Sequence, residues 1–559
     1  MRRQIELVED FKAGRISRRD FAKRAMAIGM AAPLITSHIL ASPAMATPAG
    51  RPLPRAARRQ QSGGTLRFGA WQTPDTLDSQ KTSLAATQRI LSNAYDPLIW
   101  KISGDDNFYP GLATSWDLSP DGLTYTFKLR TDVKFHNGEP FNAAAVKATF
   151  DRDADSANQT VEQPPRGFDH AEAVDDATVK IVFTSPYAPF LTLLGASWWR
   201  TLAPQYAKDN PDGMSLTPPG TGPFIIKEYV AGSHATLARN PDYNWAPSFY
   251  NRQGPSLLDG IDWQIIEESG TRTATLQNGE LDLIEEIVPA QFDALKNNAD
   301  FQVILHDTIG CPRTIHLNCS KAPTDDKLVR QAMNYAVDKH VVTDVIFKKT
   351  VDPAWGPLEK LTPGYNPDVE TYYAFDADKA KQLLDQAGWA LDGNTRKKNG
   401  QELSALFINI AKDGFDETAQ VVQSQFADVG IKLDLTSEAE PTVFNTYNRG
   451  DQNLAEIFWW GADPESLYSL YHSSQIEHGF NWCHYTNTDV DKLLEQGYIE
   501  NDNEKRMDLY KQAQVLIMED APLIPVFGKR SSLAGKKAIS NINWTLNVYP
   551  LYYNATLGS

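Results

Sequence analysis

Residues 112–152 read LATSWDLSPDGLTYTFKLRTDVKFHNGEPFNAAAVKATFDR. Trp116 and Leu118 precede the turn tetrad Ser119-Pro120-Asp121-Gly122, after which Tyr125, Phe127 and Leu129 alternate with Thr126 and Lys128. A period of two sends alternate side chains to one face, so this stretch predicts two half-buried antiparallel strands joined at the turn. Asn142 then stands ahead of Ala145, Val146, Thr149 and Phe150, which share a side at helical spacing. An Asn side chain accepts from a backbone N–H that the first helical turn leaves unpaired, so a helix is expected to start there.

The same two periods organise the chain on either side. Towards the N-terminus, Thr65-Leu66-Arg67-Phe68-Gly69 alternates as a strand and runs into a turn at Pro74-Asp75. Towards the C-terminus, residues 179–183 (VKIVF) read as another strand, and Pro218-Pro219-Gly220-Thr221-Gly222-Pro223 marks a tight bend before Phe224-Ile225-Ile226 and a boundary between two subdomains. Paired tryptophans at Trp198-Trp199-Arg200 follow an apolar run and read as subdomain packing, with the rim of a cleft as the alternative. In the second half of the chain, strands alternate with amphipathic helices, as in an α/β lobe. Leu328, Val329, Ala332, Met333 and Ala336 make one stripe, and Ala380, Leu383, Leu384 and Ala387 a second, closed by Gly388. Met507, Tyr510, Ala513 and Ile517 make a third that stops before Pro522. The run Leu523-Ile524-Pro525-Val526-Phe527 suits a strand returning to the first lobe.

With 559 residues, 42% hydrophobic and 22% charged, the chain has the composition of a globular protein of more than one domain. No run of eighteen apolar residues follows the first fifty, which excludes a polytopic membrane protein. Ser17-Arg18-Arg19-Asp20-Phe21-Ala22-Lys23 matches the twin-arginine export pattern, an apolar segment covers Ala25 to Ile35, and Ala44-Met45-Ala46 offers small-x-small cleavage geometry. Residues 1–46 are therefore expected to be a twin-arginine signal peptide, and 47–62, with Arg51, Arg55, Arg58 and Arg59 among Pro and Ala, a flexible leader. Removing the eight basic and four acidic residues of 1–46 from 54 and 70 leaves 46 and 66, a net charge of −20. Such a surface disfavours nucleic acid. None of the three cysteines, Cys311, Cys319 and Cys483, lies beside the signal where a lipid anchor would sit, so a freely soluble periplasmic chain is expected. Free buried thiols are favoured over a Cys311–Cys319 disulfide.

On four segments the chain resembles the bacterial extracellular solute-binding proteins of family 5, the peptide, nickel and opine class of ABC importers. These are GGTLRFGAWQTPDTLDS (63–79), residues 112–152 quoted above, GTGPFIIKEYVAGSHATLARNPDYNW (220–245) and DDKLVRQAMNYAVDK (325–339). The resemblance implies an α/β, two-lobed periplasmic-binding-protein fold, class II and cluster C in type, with an extra subdomain in lobe one. Lobe I would comprise 63–308 and 527–559, with the inserted subdomain at about 108–217, and lobe II would comprise 309–526. Hinge strands are expected near His316-Leu317-Asn318 and between Pro522 and Phe527. The implied function is capture of a small peptide-like or cationic solute, for example an oligopeptide or opine, between closing lobes. The implied partners are an ABC permease dimer with its ATP-binding subunits and, during export, the twin-arginine translocase, with the receptor itself a monomer and no cofactor. A periplasmic enzyme or a chemoreceptor-type solute sensor are the alternatives. For the enzyme no GxSxG, CxxCH or strand-following GxGxxG stands in the sequence, and adjacent carboxylates such as Glu285-Glu286 are common in an acidic chain.

Candidate ligand contacts follow from the same resemblance and from residue chemistry. In Phe458-Trp459-Trp460-Gly461-Ala462-Asp463-Pro464, peptide-binding relatives have a longer loop with an earlier Asp that pairs with the peptide ammonium; this chain keeps only the Asp-Pro. Asp463 therefore either meets a cation or caps a helix starting at Pro464. Trp459 and Trp460 alternate along a strand, so one is expected in the core and the other in the cleft, able to stack on a cation or flat ligand. Glu438 and Glu440 stand where relatives place an aromatic wall, and read either as a site for positive charge or as a solvated acidic loop. Lys412 falls near the family's cation for a peptide carboxylate, and Lys81, Thr82 and Ser83 occupy a first-lobe loop that meets ligand in relatives. His472, His478, His484 and Cys483 lack the spacing of a metal site, and no metal is expected.

Overall fold

The computed structural model describes residues 63–558 apart from 83, 106, 156–164, 197–198, 411–413, 439 and 477–478, with Glu440, Pro441 and Trp460 described by backbone alone. The expected signal peptide and leader, together with Ser83, Trp198, Lys412 and His478, lie outside the described residues. Three sheets carry the architecture. The first has seven strands in the spatial order Phe301–Asp307, Arg530–Lys536, Leu283–Glu285, Thr65–Ala70, Gly260–Ile265, His234–Arg239 and Phe224–Val230. Its centre is parallel: Thr65 lies opposite Gly260 and Ala70 opposite Ile265, while Phe68 pairs with Leu283 on the other side.

A second sheet of six strands runs Asp352–Pro353, Leu523–Gly528, Gly310–Leu317, Leu454–Trp460, Ser404–Ile410 and Lys432–Glu438. Against it pack amphipathic helices whose buried residues are those of the sequence stripes, Val329, Ala332, Met333 and Ala336 in Lys327–Ala336 and Ala380, Leu383 and Leu384 in Ala377–Gln386.

Residues 112–152 build the third sheet. Ala113–Leu118 and Thr124–Leu129 pair antiparallel, with Trp116 opposite Phe127 and Leu118 opposite Tyr125, and Thr178–Phe183 and Phe168–Asp175 complete four strands. The helix Ala143–Ala154 covers them, and the Asn142 side chain accepts from the Ala145 N–H at 3.0 Å. The bend at 218–223 is tight for a steric reason. A Cβ on Gly220 would stand 2.0 Å from the Ala94 carbonyl oxygen, and one on Gly222 would stand 2.6 Å from the Ala94 carbonyl carbon.

The chain passes between the large sheets twice, at Thr308-Ile309 and at Lys529, since Phe301–Asp307 and Arg530–Lys536 belong to the first sheet and Gly310–Leu317 and Leu523–Gly528 to the second. This corrects the expected hinge positions. His316 is bracketed by Ala455 and Leu523 inside the second sheet, and Phe527, taken as the first residue of the returning lobe, still pairs there with Arg313. Those apolar runs are core strands; the links themselves are one and two residues long, too short to leave a compositional mark. The fold is thus α/β and two-lobed, with the four-stranded subdomain inserted in the first lobe.

Candidate functional site

In both large sheets the parallel strands end at the crossovers. Thr65–Ala70, Gly260–Ile265 and Leu283–Glu285 finish on the edge where Asp307 leaves the first sheet, and Ser404–Ile410, Lys432–Glu438, Leu454–Trp460 and Leu523–Gly528 finish on the edge where Gly528 leaves the second. Ligands of open α/β sheets bind outside the carboxyl ends of strands, so these two edges define the candidate cleft.

On the first edge, Glu285 Oε1 accepts from the Trp71 N–H at 3.3 Å, which ties together the ends of two neighbouring strands. Arg89, from the helix Ala85–Ala94, places Nε 3.3 Å from Glu285 Oε2 and Nη2 3.8 Å from Glu286 Oε1, with its guanidinium 5.9 Å from the Tyr549 ring centre. Burial opposes the Arg89 charge, but Glu285 and Glu286 outweigh it and hold its pKa above the ordinary value. The Glu285 carboxyl is raised by burial against the pull of Arg89. Arg89 Nη1 has no hydrogen-bond partner among the described residues, although Arg89 is 4% exposed. A buried guanidinium N–H is costly to leave without an acceptor. Thr82, by contrast, is committed to its own loop: its hydroxyl donates to Asp75 Oδ1 at 2.7 Å and accepts from the Leu84 N–H at 3.0 Å.

On the second edge, Arg313 lies 3.3 Å from the Phe415 ring centre and 4.5 Å from that of Phe458, and 3.6 Å from Glu456 Oε1. Burial pushes the Glu456 carboxyl up to about 8, with Arg313 opposing. Lys529, the second crossover, sets its ammonium 5.2 Å from the Phe458 ring centre. Trp459 is half-buried against Phe480, ring centres 4.2 Å apart. The Trp460 backbone pairs with Gly310 at the end of the sheet, and Glu440 opens the helix Glu440–Arg449. Glu438 is half-buried and accepts from the Thr446 hydroxyl at 3.0 Å.

Asp463 is 2% exposed and its carboxylate takes the Arg506 guanidinium on both oxygens, Nη1 to Oδ2 at 2.9 Å, while Oδ1 also accepts the Glu465 N–H at 3.0 Å. The helix that follows begins at Ser466 with Glu465 at its N-cap and no side-chain cap bond, so the Asp463–Glu465 bond belongs to the turn ahead of it, and the Asp463 charge is met from inside the same lobe. Trp199 is buried against Phe190 at 6.2 Å, in the subdomain core. His472 meets Ser474 and Glu495, His484 meets the Tyr447 carbonyl, and no group of three metal-type side chains occurs among the described residues. The three cysteines are free, burial raising the Cys311 thiol to about 12 and the Cys319 thiol to about 11.

Arg89 and Arg313 escaped the reading from sequence. Arg313 left a signal, a lone cation within the strand run GCPRTIHL, whereas Arg89 sits in an unremarkable helical stretch.

The family model described as bacterial extracellular solute-binding proteins, family 5 Middle, matches residues 107–478. The chain belongs to that family. Family 5 relatives include heme-binding protein A of Haemophilus influenzae, 31% identical over 77% of this chain and 81% of that protein, and the glutathione-binding protein GsiB of Escherichia coli (strain K12), 28% identical over 83% and 89%. Among solved family 5 structures, NikA from Brucella suis in complex with Fe(III)-EDTA superposes with a TM-score of 0.77 at 29% identity, covering 88% of this chain and 98% of that one. The protein is thus a family 5 solute-binding protein of the ABC-transporter class. Among the described residues no helix is long and apolar enough to cross a membrane.

Proposed function

We propose that this protein is the exported periplasmic receptor of an ABC importer and that it captures a short peptide-like solute bearing a free carboxylate and an amino group. The carrying observation is Arg89: a buried guanidinium at the carboxyl edge of the first sheet, charged through Glu285 and Glu286, with one N–H still unpaired. A ligand carboxylate completes that donor set with a charge-assisted bond. Glu286, whose side chain is 31% exposed, supplies the counter-charge for an amino group. Trp459 and Tyr549 offer ring surface for the body of the solute. The glutathione-binding relatives support a ligand of this class, since glutathione carries both groups.

Micromolar to nanomolar capture needs roughly 8 to 12 kcal/mol, which burial between two lobes with one or two charged anchors supplies. The reading makes the protein a transport receptor, monomeric, exported through its twin-arginine segment and docking on a permease dimer.

Isothermal titration of a dipeptide and glutathione panel tests the ligand class. Peptides with a free carboxylate are expected to bind, their C-terminal amides at least about tenfold more weakly, and Arg89→Gln to lose about 10- to 100-fold and no longer tell acid from amide. Native mass spectrometry of protein purified from its own periplasm supplies the independent check: a bound solute with no carboxylate and no basic nitrogen would overturn the proposal.

A further inference from the structure

The inserted subdomain is joined through the chain to the first lobe, yet around Tyr187 it also touches the second lobe. There the Tyr187 hydroxyl donates to Glu465 Oε2 at 3.0 Å, and the Ala188 N–H donates to the Tyr498 carbonyl at 2.9 Å. The rings of Tyr187 and Tyr498 stack with centres 5.9 Å apart, and the exposed Arg166 lays its guanidinium 4.9 Å from the centre of Tyr468 and 4.8 Å from that of Tyr498. Hydrogen bond, backbone bond and cation–π contacts thus converge between two bodies that are covalently connected only through the crossovers at Thr308-Ile309 and Lys529.

The second-lobe side of the patch is built and braced. Asp463 and Glu465 bring two carboxyls against the one guanidinium of Arg506, whose Nε donates to the Gly497 carbonyl at 2.9 Å, one residue before Tyr498. Two acids against one base leave an excess of acceptor, and the subdomain answers with a phenol donor and the cation of Arg166. Matching of donors to acceptors in this way sets where two surfaces meet.

We propose that Tyr187 and Arg166 on the inserted subdomain, with Glu465, Tyr468 and Tyr498 on the second lobe, form a closure latch that holds the two lobes together through contacts between protein groups alone. Asp463 and Arg506 are positioning residues for it. Any parting of the lobes at the two crossovers has to break the Tyr187–Glu465 and Ala188–Tyr498 bonds, so the latch sets the balance between open and closed forms whatever the solute.

Spin labels at Asp117→Cys on the subdomain and Asp508→Cys on the second lobe, both exposed positions, report the separation by pulsed dipolar spectroscopy. The protein is measured as purified and again after unfolding and refolding to strip solute. Tyr187→Phe keeps the ring stack and removes only the hydroxyl; Arg166→Met keeps the stem and removes the charge. Each is expected to lower the ratio of short- to long-distance populations about tenfold in at least one preparation, the effect of losing one buried polar contact. The double variant is expected to fall short of the product of the two, since both act on one contact. A wild-type protein with no short-distance population, or variants whose populations match the wild type in both preparations, overturns the proposal.

Discussion

Asp463 is the residue whose environment departs most from what its neighbours in sequence suggest. Its Asp-Pro context offers a cap, but its carboxylate takes the Glu465 N–H in the turn ahead of the helix Ser466–Tyr471, and its charge is met by Arg506, 43 residues along the chain. No local pattern encodes that pairing; it exists because the helix Asn503–Asp520 lies beside the loop. Removing one partner strands the other in a buried site, so Arg506→Met is expected to destabilise the protein by about 3–5 kcal/mol in urea denaturation, and Asp463→Leu with Arg506→Met together to restore most of the loss. Full loss in the double variant would mean the pair contributes more than mutual neutralisation.

His316 carries a second prediction at this scale. It is fully buried, its ring is 5.4 Å from that of Tyr471, and neither ring nitrogen has a hydrogen-bond partner among the described residues. Burial pulls its pKa down to about 3. The folded value lies below the unfolded one, so the stabilisation is full above pH 6.5 and is lost as pH falls towards 3. The slope from this one group approaches about 1.4 kcal/mol per pH unit in that window. Denaturation midpoints measured from pH 7 to pH 4 should therefore fall less steeply in His316→Phe than in the wild type.

At the scale of the element, the hairpin in 112–152 and the helices were legible because their information is local: a period of two, a turn tetrad, a period of 3.6 and a capping side chain. The Asn142 cap is expected to be worth about 1 kcal/mol, lost in Asn142→Ala and largely kept in Asn142→Asp, as thermal unfolding would read. The bend at 218–223 was legible as a bend, but the reason for its glycines was not. They are needed because the end of the helix Ala85–Ala94 presses against them, a contact made across more than a hundred residues. The candidate cleft suffers from the same limit: Arg89, Glu285 and Tyr549 belong to three distant segments and meet only once the first sheet has formed.

At the scale of the whole molecule, the short segment from Glu359 to Thr362 ties both crossovers together. The Glu359 N–H donates to the Gly310 carbonyl at 2.8 Å, its Oε1 accepts from the Lys529 N–H at 2.8 Å, and the Thr362 hydroxyl accepts from the Gly310 N–H at 2.8 Å. Arg530 adds an ion bridge from the first lobe's Asp307, at 2.5 Å, to Asp352 on the second. Burial is the main force pushing the Glu359 carboxyl up to about 8; Asp307 adds to it, while the Lys529 N–H and the Arg530 and Lys529 charges oppose. Its folded pKa thus lies above the unfolded one, and the native state holds a proton that the unfolded chain has released between about pH 4.5 and 8. Stability from this group is full below that window and is lost as pH rises through it. Glu359→Gln keeps an acceptor for Lys529 and cannot ionise. It is expected to unfold at the same urea concentration as the wild type at pH 5 and to be about 1–3 kcal/mol more stable at pH 9. Glu456 and Glu465 are raised in the same direction by burial, so the variant should retain part of the alkaline slope. An equal difference between the two proteins at pH 5 and pH 9 would show that Glu359 acts on the hinge through packing alone.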